Sequence, residues 1–171
     1  MLRSKWLAAM LTAGLMLPAL ADDDENEGLE HLQLPQVSNK NWKAECASCH
    51  MAYPPGLLPA RSWQKMMQGL DKHFGQNAEL DAPTAADISQ FLQATAADSK
   101  GRYRVAEIAA AIPAGSTPLR ISETRYFREL HHELRADVFR RKSIGSAGNC
   151  VACHRGAEAG NFDEHQVRIP R

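Results

Sequence analysis

The sequence predicts a small, mainly α-helical domain with few or no strands, in which two halves of the chain pack together. Helical periodicity and capping signals recur along the chain, whereas no run alternates between apolar and polar residues as a strand would. All four cysteines lie in two strings of one pattern, Cys46–His50 and Cys150–His154, one in each half. Aromatic residues make up only 6% of the chain, so its core is short of apolar material.

Both strings have the pattern Cys-x-x-Cys-His, the attachment signature of c-type haem. On a helical turn, positions i, i+3 and i+4 share one face, so two thiols can reach the haem vinyl groups while the histidine lies under the iron. Two haems would also supply missing core material and nucleate the helical fold. The sequence therefore predicts two covalently attached haem c groups, bound by these residues: Cys46, Cys49, His50, Cys150, Cys153 and His154.

Other uses of these cysteines fit less well. A zinc ribbon places its two Cys-x-x-Cys pairs about 15–20 residues apart, whereas these begin 104 residues apart. A thioredoxin-like site needs one such pair beside a βαβ pattern, which is not visible here. Two structural disulfides would not explain why histidine follows both pairs.

Residues 1–21 have the pattern of a secretory signal peptide. Arg3 and Lys5 precede a short apolar run, and a small-x-small site ends at Ala21. The alternative, an uncleaved anchor, is disfavoured because the run is shorter than the ~20 residues that a membrane span needs. We expect cleavage after Ala21 and a periplasmic mature chain of 150 residues that does not span a membrane.

The mature chain divides by composition. Residues 22–38 are expected to form an acidic, flexible N-terminal segment, and residues 39–171 the dihaem domain. Its first haem half covers about 39–98 and its second about 115–171. Basic residues outnumber acidic ones only in the C-terminal part, which predicts a polarised surface and gives no indication of nucleic-acid binding.

The helical elements follow from capping residues and breakers. In chain order we expect a haem-binding turn within 39–50, a proline-rich loop over 53–59, and a helix that is capped by Ser62 and ends just before Gly75. A helix opened by Thr84 and Asp87, whose spacing is that of a capping box, follows, and then a helix over 104–112 ended by Pro113. After a linker over 114–119 we expect a helix capped by Ser122 or Thr124 that runs to about Arg135, and a second haem-binding turn after Asn149.

The sixth iron ligand of the first haem is sought among the remaining histidines and methionines. On a helix from Ser62, with Trp63 at 0° and roughly 100° per residue, His73 falls at the rim of the buried face beside Met66. Because histidine is a common axial ligand, His73 is the predicted ligand. Met66 and Met67 are the alternatives, although methionines on an apolar face are more often core residues.

For the second haem, the same arithmetic places His131 beside the apolar stripe of Phe127 and Leu134, and His132 on the polar face. His131 is therefore the predicted ligand, and His132 remains open because helix ends fray. His31 and His165 lie in polar terminal stretches and are expected to be exposed, with His165 as a reserve candidate.

Longer strings carry a family resemblance. The runs are Cys49–Pro59 continuing through Ser62-Trp63, then Leu70–Gly75, Pro118–Phe127, the stretch ending at Glu133-Leu134, and Cys150–His154 followed by Ala157–Phe162. In these the chain resembles the dihaem cytochrome c family usually called DHC, over most of the mature sequence.

The resemblance implies a periplasmic electron carrier with two low-spin, bis-histidine haems. It implies a membrane cytochrome b as electron donor and, in some members, a small oxygen-binding monohaem cytochrome c as acceptor. The family's His-x-Glu pattern maps the second distal ligand onto His131, with Glu133 two residues on, although this chain also has histidine at 132.

We therefore expect an electron-transfer protein and not an enzyme. One alternative is a dihaem peroxidase, which needs an iron with an open position and for which this chain is short. Another is the small dihaem electron-transfer subunit of a periplasmic reductase, which would form an obligate complex.

Overall fold

The computed structural model describes residues 31–171. The expected signal peptide and residues 22–30 of the acidic segment lie outside this range. The described chain is helical, with no strand beyond two isolated bridges, which confirms the predicted fold class. Its α-helices are α1 (Lys40–Cys46), α2 (Ala60–Met67), α3 (Ala82–Ala94), α4 (Ala106–Ala111), α5 (Arg125–Leu130) and α6 (Ala136–Phe139).

Short 3₁₀ turns connect or follow these helices. They are Pro55–Leu57, Leu70–Lys72, Gly101–Tyr103, Ile121–Glu123, Cys150–Ala152, Ala157–Ala159 and Glu164–Gln166. Over residues 31–171, none of the helices has both the length and the apolar character required to cross a bilayer.

Helix α1 is capped and then fixed to α3 by side chains. The Asn39 side chain accepts a hydrogen bond from the Trp42 N–H at 2.8 Å, which satisfies one free donor of the first turn. The amides of Asn39 and Asn41 both donate to Oδ2 of Asp87 on α3, each at 2.9 Å. These contacts hold the helix that leads into the first Cys-x-x-Cys-His motif.

Helix α3 begins two residues before the predicted Thr84. Its cap is Asp81, whose Oδ1 accepts from the Thr84 N–H at 3.0 Å, and Pro83 lies in the first turn. Asp87 makes no capping box with Thr84, because its carboxylate is used by the α1 asparagines. The predicted opening at Thr84 and Asp87 was wrong, because Asp81, three residues earlier, is an equally good cap and Pro83 follows it in the first turn.

One buried cluster joins the two halves of the chain. It contains Trp42 and Trp63 from the first half and Ile108 and Tyr126 from later helices. The buried Tyr126 hydroxyl donates to the Leu57 carbonyl oxygen at 2.8 Å, so the two halves share a hydrogen bond as well as apolar contacts.

The proline-rich loop is part of this core. Residues 54–59 are all buried, and the Trp63 indole N–H donates to the Pro55 carbonyl oxygen at 2.7 Å. A Cβ on Gly56 would lie 3.0 Å from Val105 Cγ2, so a larger residue there would force Val105 to shift.

Helix α2 differs at both ends from its prediction. It begins at Ala60 instead of after Ser62, whose hydroxyl is buried, and it ends at Met67 well before Gly75. The chain continues into the 3₁₀ turn at Leu70, and Phe74 and Gly75 have positive φ values of 49° and 94°. His73 is therefore outside the helix, and the helical-wheel argument for its position was wrong.

Helix α5 has the predicted cap Thr124, whose hydroxyl accepts from the Phe127 N–H at 3.3 Å. It ends at Leu130 instead of near Arg135, because His131 leaves the helical region with φ −115° and ψ 16°. Helix α4 covers the centre of its predicted range and stops two residues before Pro113, as the proline requires.

The segment from His31 to Gln36 is extended and packed. The Leu34 N–H donates to the Gly160 carbonyl oxygen at 2.8 Å, and the Phe162 N–H donates to the Leu32 carbonyl oxygen at 2.9 Å. Leu32 and Leu34 are buried. The flexible segment expected over 22–38 therefore does not include this stretch, where the acidic run has ended and leucines alternate with polar residues.

Candidate functional site

The first Cys-x-x-Cys-His motif begins at the last residue of α1. Cys46 packs partly against the core, whereas Cys49 and His50 are exposed. The Nδ1 atom of His50 lies 2.6 Å from the Met51 carbonyl oxygen. Since a carbonyl only accepts, Nδ1 must carry the hydrogen, and Nε2 keeps a free lone pair for a metal.

The second motif forms a tighter turn. Cys150 starts a 3₁₀ turn, and the His154 N–H donates to the Cys150 carbonyl oxygen at 2.8 Å. The Asn149 amide anchors the turn by donating to the Ile144 carbonyl oxygen at 2.8 Å. This winding brings the two thiols and the imidazole to one side, as haem attachment requires.

The four thiols are free of disulfides. Burial, helped by the charge of Glu45, raises the pKa of Cys46 to about 11, and burial raises the pKa of Cys150 to about 11. Burial also raises the pKa of Cys153.

The structure brings His73 opposite His50. The centroids of the two rings are 6.1 Å apart, with an angle of 25° between their planes. The 3₁₀ turn and the bend at Phe74 carry His73 there, and the Ala78 N–H closes this bend by donating to the Leu70 carbonyl oxygen at 2.8 Å. We call Cys46, Cys49, His50 and His73 site 1.

The structure brings His131 opposite His154. Their ring centroids are also 6.1 Å apart, and the planes are inclined by 69°. The Nδ1–H of His131 donates to the Phe127 carbonyl oxygen at 2.8 Å, and its ring stacks on that of Phe127. His132 is exposed, with Nδ1 at 2.7 Å from the Glu129 carbonyl oxygen. We call His131, Cys150, Cys153 and His154 site 2.

The equal spacing of the two pairs fits a metal between each. An imidazole nitrogen binds a transition metal at about 2 Å and the ring centroid lies roughly 1 Å further away, so two imidazoles on opposite sides of one metal have centroids about 6 Å apart. Both observed pairs have this separation. The donor sets of both sites therefore fit an iron with two axial histidines.

Site 2 lies in an apolar cleft. All four of its residues line one cavity, together with aromatic side chains from three segments, namely Phe127, Phe139 and Phe162. Phe162 lies 5.4 Å from the His154 ring, measured between centroids. The aromatic and apolar side chains that line this cavity suit a flat, apolar macrocycle.

Burial favours the neutral form of His73, His131 and His154, which is the form that binds a metal. Burial lowers the pKa of His73, with further contributions from His50 and Arg120. Burial lowers the pKa of His131 against the opposing effect of its bond to Phe127. Burial and the facing His131 lower the pKa of His154.

The other candidates take different positions. Met66 and Met67 are partly buried, and Met67 packs against the core cluster. His31 and His165 are exposed, as expected from the sequence, and they stack on each other.

Tyr53 was missed as a site residue. Its ring lies 4.9 Å from that of His50, and its hydroxyl donates to the Gly148 carbonyl oxygen at 2.6 Å. The sequence places Tyr53 three residues after His50, but nothing in its pattern indicates a contact 95 residues away.

Comparisons with known proteins agree with this geometry. The family model described as dihaem cytochrome c matches residues 42–162. No curated protein matches the sequence. Among solved structures, the chain is similar to a dihaem cytochrome c from Rhodobacter sphaeroides, with 41% identity and a TM-score of 0.65 over 76% of this chain and 99% of that chain.

A second similar structure is the dihaem cytochrome c from Shewanella baltica OS155, with 36% identity and a TM-score of 0.64 over 79% of this chain and 95% of that chain. The family implies two c-type haems, for which this chain has both cysteine pairs. With a family match over most of its length and these relatives, the chain belongs to the dihaem cytochrome c family.

Proposed function

We propose that the protein is a periplasmic electron carrier that passes electrons between redox partners through two covalently bound, bis-histidine haems. The observation that carries this proposal is the pair of facing histidines at each Cys-x-x-Cys-His motif. At both sites the centroids of the two imidazole rings are 6.1 Å apart. When bound, haem supplies an iron that gains or loses one electron.

The proposed axial ligands are His50 with His73 and His154 with His131. The Nδ1–H bonds of His50 and His131 to backbone carbonyls fix the orientation of their rings. With a histidine pair on each haem iron, neither iron would offer an open position for peroxide. This favours a carrier over a dihaem peroxidase.

The partners are inferred from the family resemblance. The donor is proposed to be a membrane cytochrome b, and the acceptor a small oxygen-binding monohaem cytochrome c. Exposed basic residues near site 2, Arg140 and Lys142, support docking of an acidic partner face at that site. A free carrier is favoured over a subunit of a periplasmic reductase because the match to the dihaem cytochrome c family covers residues 42–162.

Export to the periplasm is proposed from the N-terminal pattern and from the attachment of haem to bacterial cytochromes c, which takes place outside the cytoplasm. Cytochromes c of this kind are usually exported. The mature chain would begin at Asp22.

The test is an optical redox titration of the mature holoprotein, with carbon monoxide added to the fully reduced form and hydrogen peroxide to the half-reduced form. We expect two low-spin haems per chain, no rapid carbon monoxide adduct and negligible peroxide turnover. Fast carbon monoxide binding at one haem together with rapid peroxide turnover would replace the carrier with a peroxidase. A ferric band of sulfur–iron ligation would replace His73 with Met66 or Met67.

A further inference from the structure

A cluster of three ligating side chains lies outside both sites. The Nδ1 atom of His31 is 3.6 Å from Oδ2 of Asp163, and the Nδ1 atom of His165 is 3.3 Å from Oδ1 of the same carboxylate. One ligand atom from each residue lies within 4.8 Å of the other two. The imidazole rings are stacked, with centroids 4.9 Å apart and planes inclined by 4°.

The backbone holds the three residues together although they are distant in sequence. Backbone hydrogen bonds of Leu34 with Gly160 and of Phe162 with Leu32 align the chain after His31 with the chain before Asp163. Asp163 Oδ1 accepts from the His165 N–H at 2.9 Å, which caps the following 3₁₀ turn. These backbone contacts therefore hold His31 close to Asp163 and His165.

We propose that His31, Asp163 and His165 form a binding site for one divalent zinc ion, outside the haem sites. Two imidazole nitrogens and one carboxylate oxygen are ligands that zinc accepts, with water completing a tetrahedral shell. Zinc bonds of about 2 Å require the donors to approach each other to roughly 3 Å. Both imidazoles are more than half exposed, so their rings are free to turn by this amount.

The charge of the cluster suits a cation. The His165 backbone N–H, followed by smaller contributions that include contacts from His31 and the His165 side chain, holds the pKa of Asp163 below its usual range, so the carboxylate is ionised at neutral pH. Arg155 and Arg168 line the same cavity as Asp163 and His165. Their positive charges weaken the attraction, so the expected affinity is lower than that of a closed structural zinc site.

Zinc bound here would join the N-terminal segment to the loop that follows site 2. Phe162 precedes Asp163 and packs against the His154 ring. The ion would thus stabilise the position of Phe162, which lines site 2.

The experiment uses tag-free mature holoprotein with both haems and isothermal titration with Zn²⁺, with Mg²⁺ as a hard-cation control. We expect one Zn²⁺ per chain and no Mg²⁺ binding. His31→Ala and His165→Ala should each weaken Zn²⁺ binding at least tenfold. Asp163→Asn should do so too, although the asparagine still caps the turn. Haem absorption spectra should not change in any variant.

His132→Ala is the matched control, since His132 is also exposed but has no partner histidine or carboxylate among its hydrogen-bonding contacts. It should leave Zn²⁺ affinity unchanged. Hydrogen exchange at the amides of Leu34 and Phe162 should slow when Zn²⁺ is added. The proposal fails if the wild-type chain does not bind Zn²⁺, or if the His31→Ala, His165→Ala double variant binds it as tightly as the wild type.

Discussion

Tyr53 donates a hydrogen bond from its hydroxyl to the carbonyl oxygen of Gly148 across 2.6 Å. Its ring also lies 4.9 Å from that of His50, while Gly148 lies two residues before Cys150. One side chain therefore contacts the backbone or ring of both haem-binding motifs. Burial, and to a lesser extent the charge of Cys150, raises the pKa of Tyr53, so its hydroxyl remains a donor. A Cβ on Gly148 would be 3.1 Å from this hydroxyl, so larger residues are disfavoured there.

Tyr53→Phe should lower the free energy of unfolding of the holoprotein by about 1 kcal/mol, because the Gly148 carbonyl oxygen loses its donor while the ring contact with His50 is kept. Denaturant unfolding measures this. Tyr103→Phe is the control: its hydroxyl is paired with exposed Arg102, and its loss should cost much less. Equal stability of Tyr53→Phe and wild type would show that the bridge contributes nothing.

The assignment of the second distal ligand is tested by two neighbouring variants. His131→Ala should convert one haem to high spin and open it to carbon monoxide, because the ring facing His154 is removed. His132→Ala should leave both haems low-spin, since that side chain is exposed and bonded to the Glu129 carbonyl oxygen. Absorption spectra with and without carbon monoxide measure both. If His132→Ala converts one haem to high spin and His131→Ala does not, then His132 is the distal ligand.

The two distal histidines should differ in lability. The Nδ1 atom of His73 is buried without a hydrogen-bond partner, whereas Nδ1 of His131 is bonded to Phe127. A hydrogen-bonded imidazole is oriented and more basic, so His131 should hold its iron more firmly than His73. Cyanide added to the ferric protein should therefore bind site 1 first.

His73→Ala should speed the first phase of cyanide binding, because water is displaced more readily than imidazole. His131→Ala should leave that phase as it is and speed the second. If His73→Ala instead speeds the slow phase of cyanide binding and leaves the fast phase unchanged, then His73 is the less labile of the two distal histidines.

The sequence identified what depends on local pattern. Two Cys-x-x-Cys-His strings predicted two haems, and of the two caps predicted for α5, Ser122 and Thr124, the structure uses Thr124. The position of His73 was reached by a wrong route, because the end of α2 at Met67 and the positive φ of Phe74 are set by tertiary packing and not by helical periodicity. The contact of Tyr53 with Gly148 and the approach of His31 to Asp163 join segments that are far apart in sequence. Such contacts depend on the folded path of the chain, so local sequence patterns do not predict them.

Partner docking near site 2 should depend on charge. Arg140 and Lys142 are exposed and follow Phe139, whose ring lies 6.1 Å from that of His131 between centroids. Arg135 is paired with Asp137, and Arg141 donates to the Pro170 carbonyl oxygen, so these two basic residues are already engaged. Arg140 and Lys142 make no side-chain hydrogen bond or ion pair with residues 31–171, so they are available to steer an acidic partner.

The rate of electron transfer with an acidic redox protein should fall as salt rises, because screening shortens the reach of the field. Arg140→Glu with Lys142→Glu should slow this reaction several-fold at low salt and leave both haem spectra unchanged. Lys100→Glu with Arg102→Glu makes the same change of charge at exposed residues of another turn, and should have a smaller effect. Stopped-flow mixing at two ionic strengths measures all three proteins. If both double variants slow the reaction equally, overall charge steers the encounter and no docking surface exists at site 2.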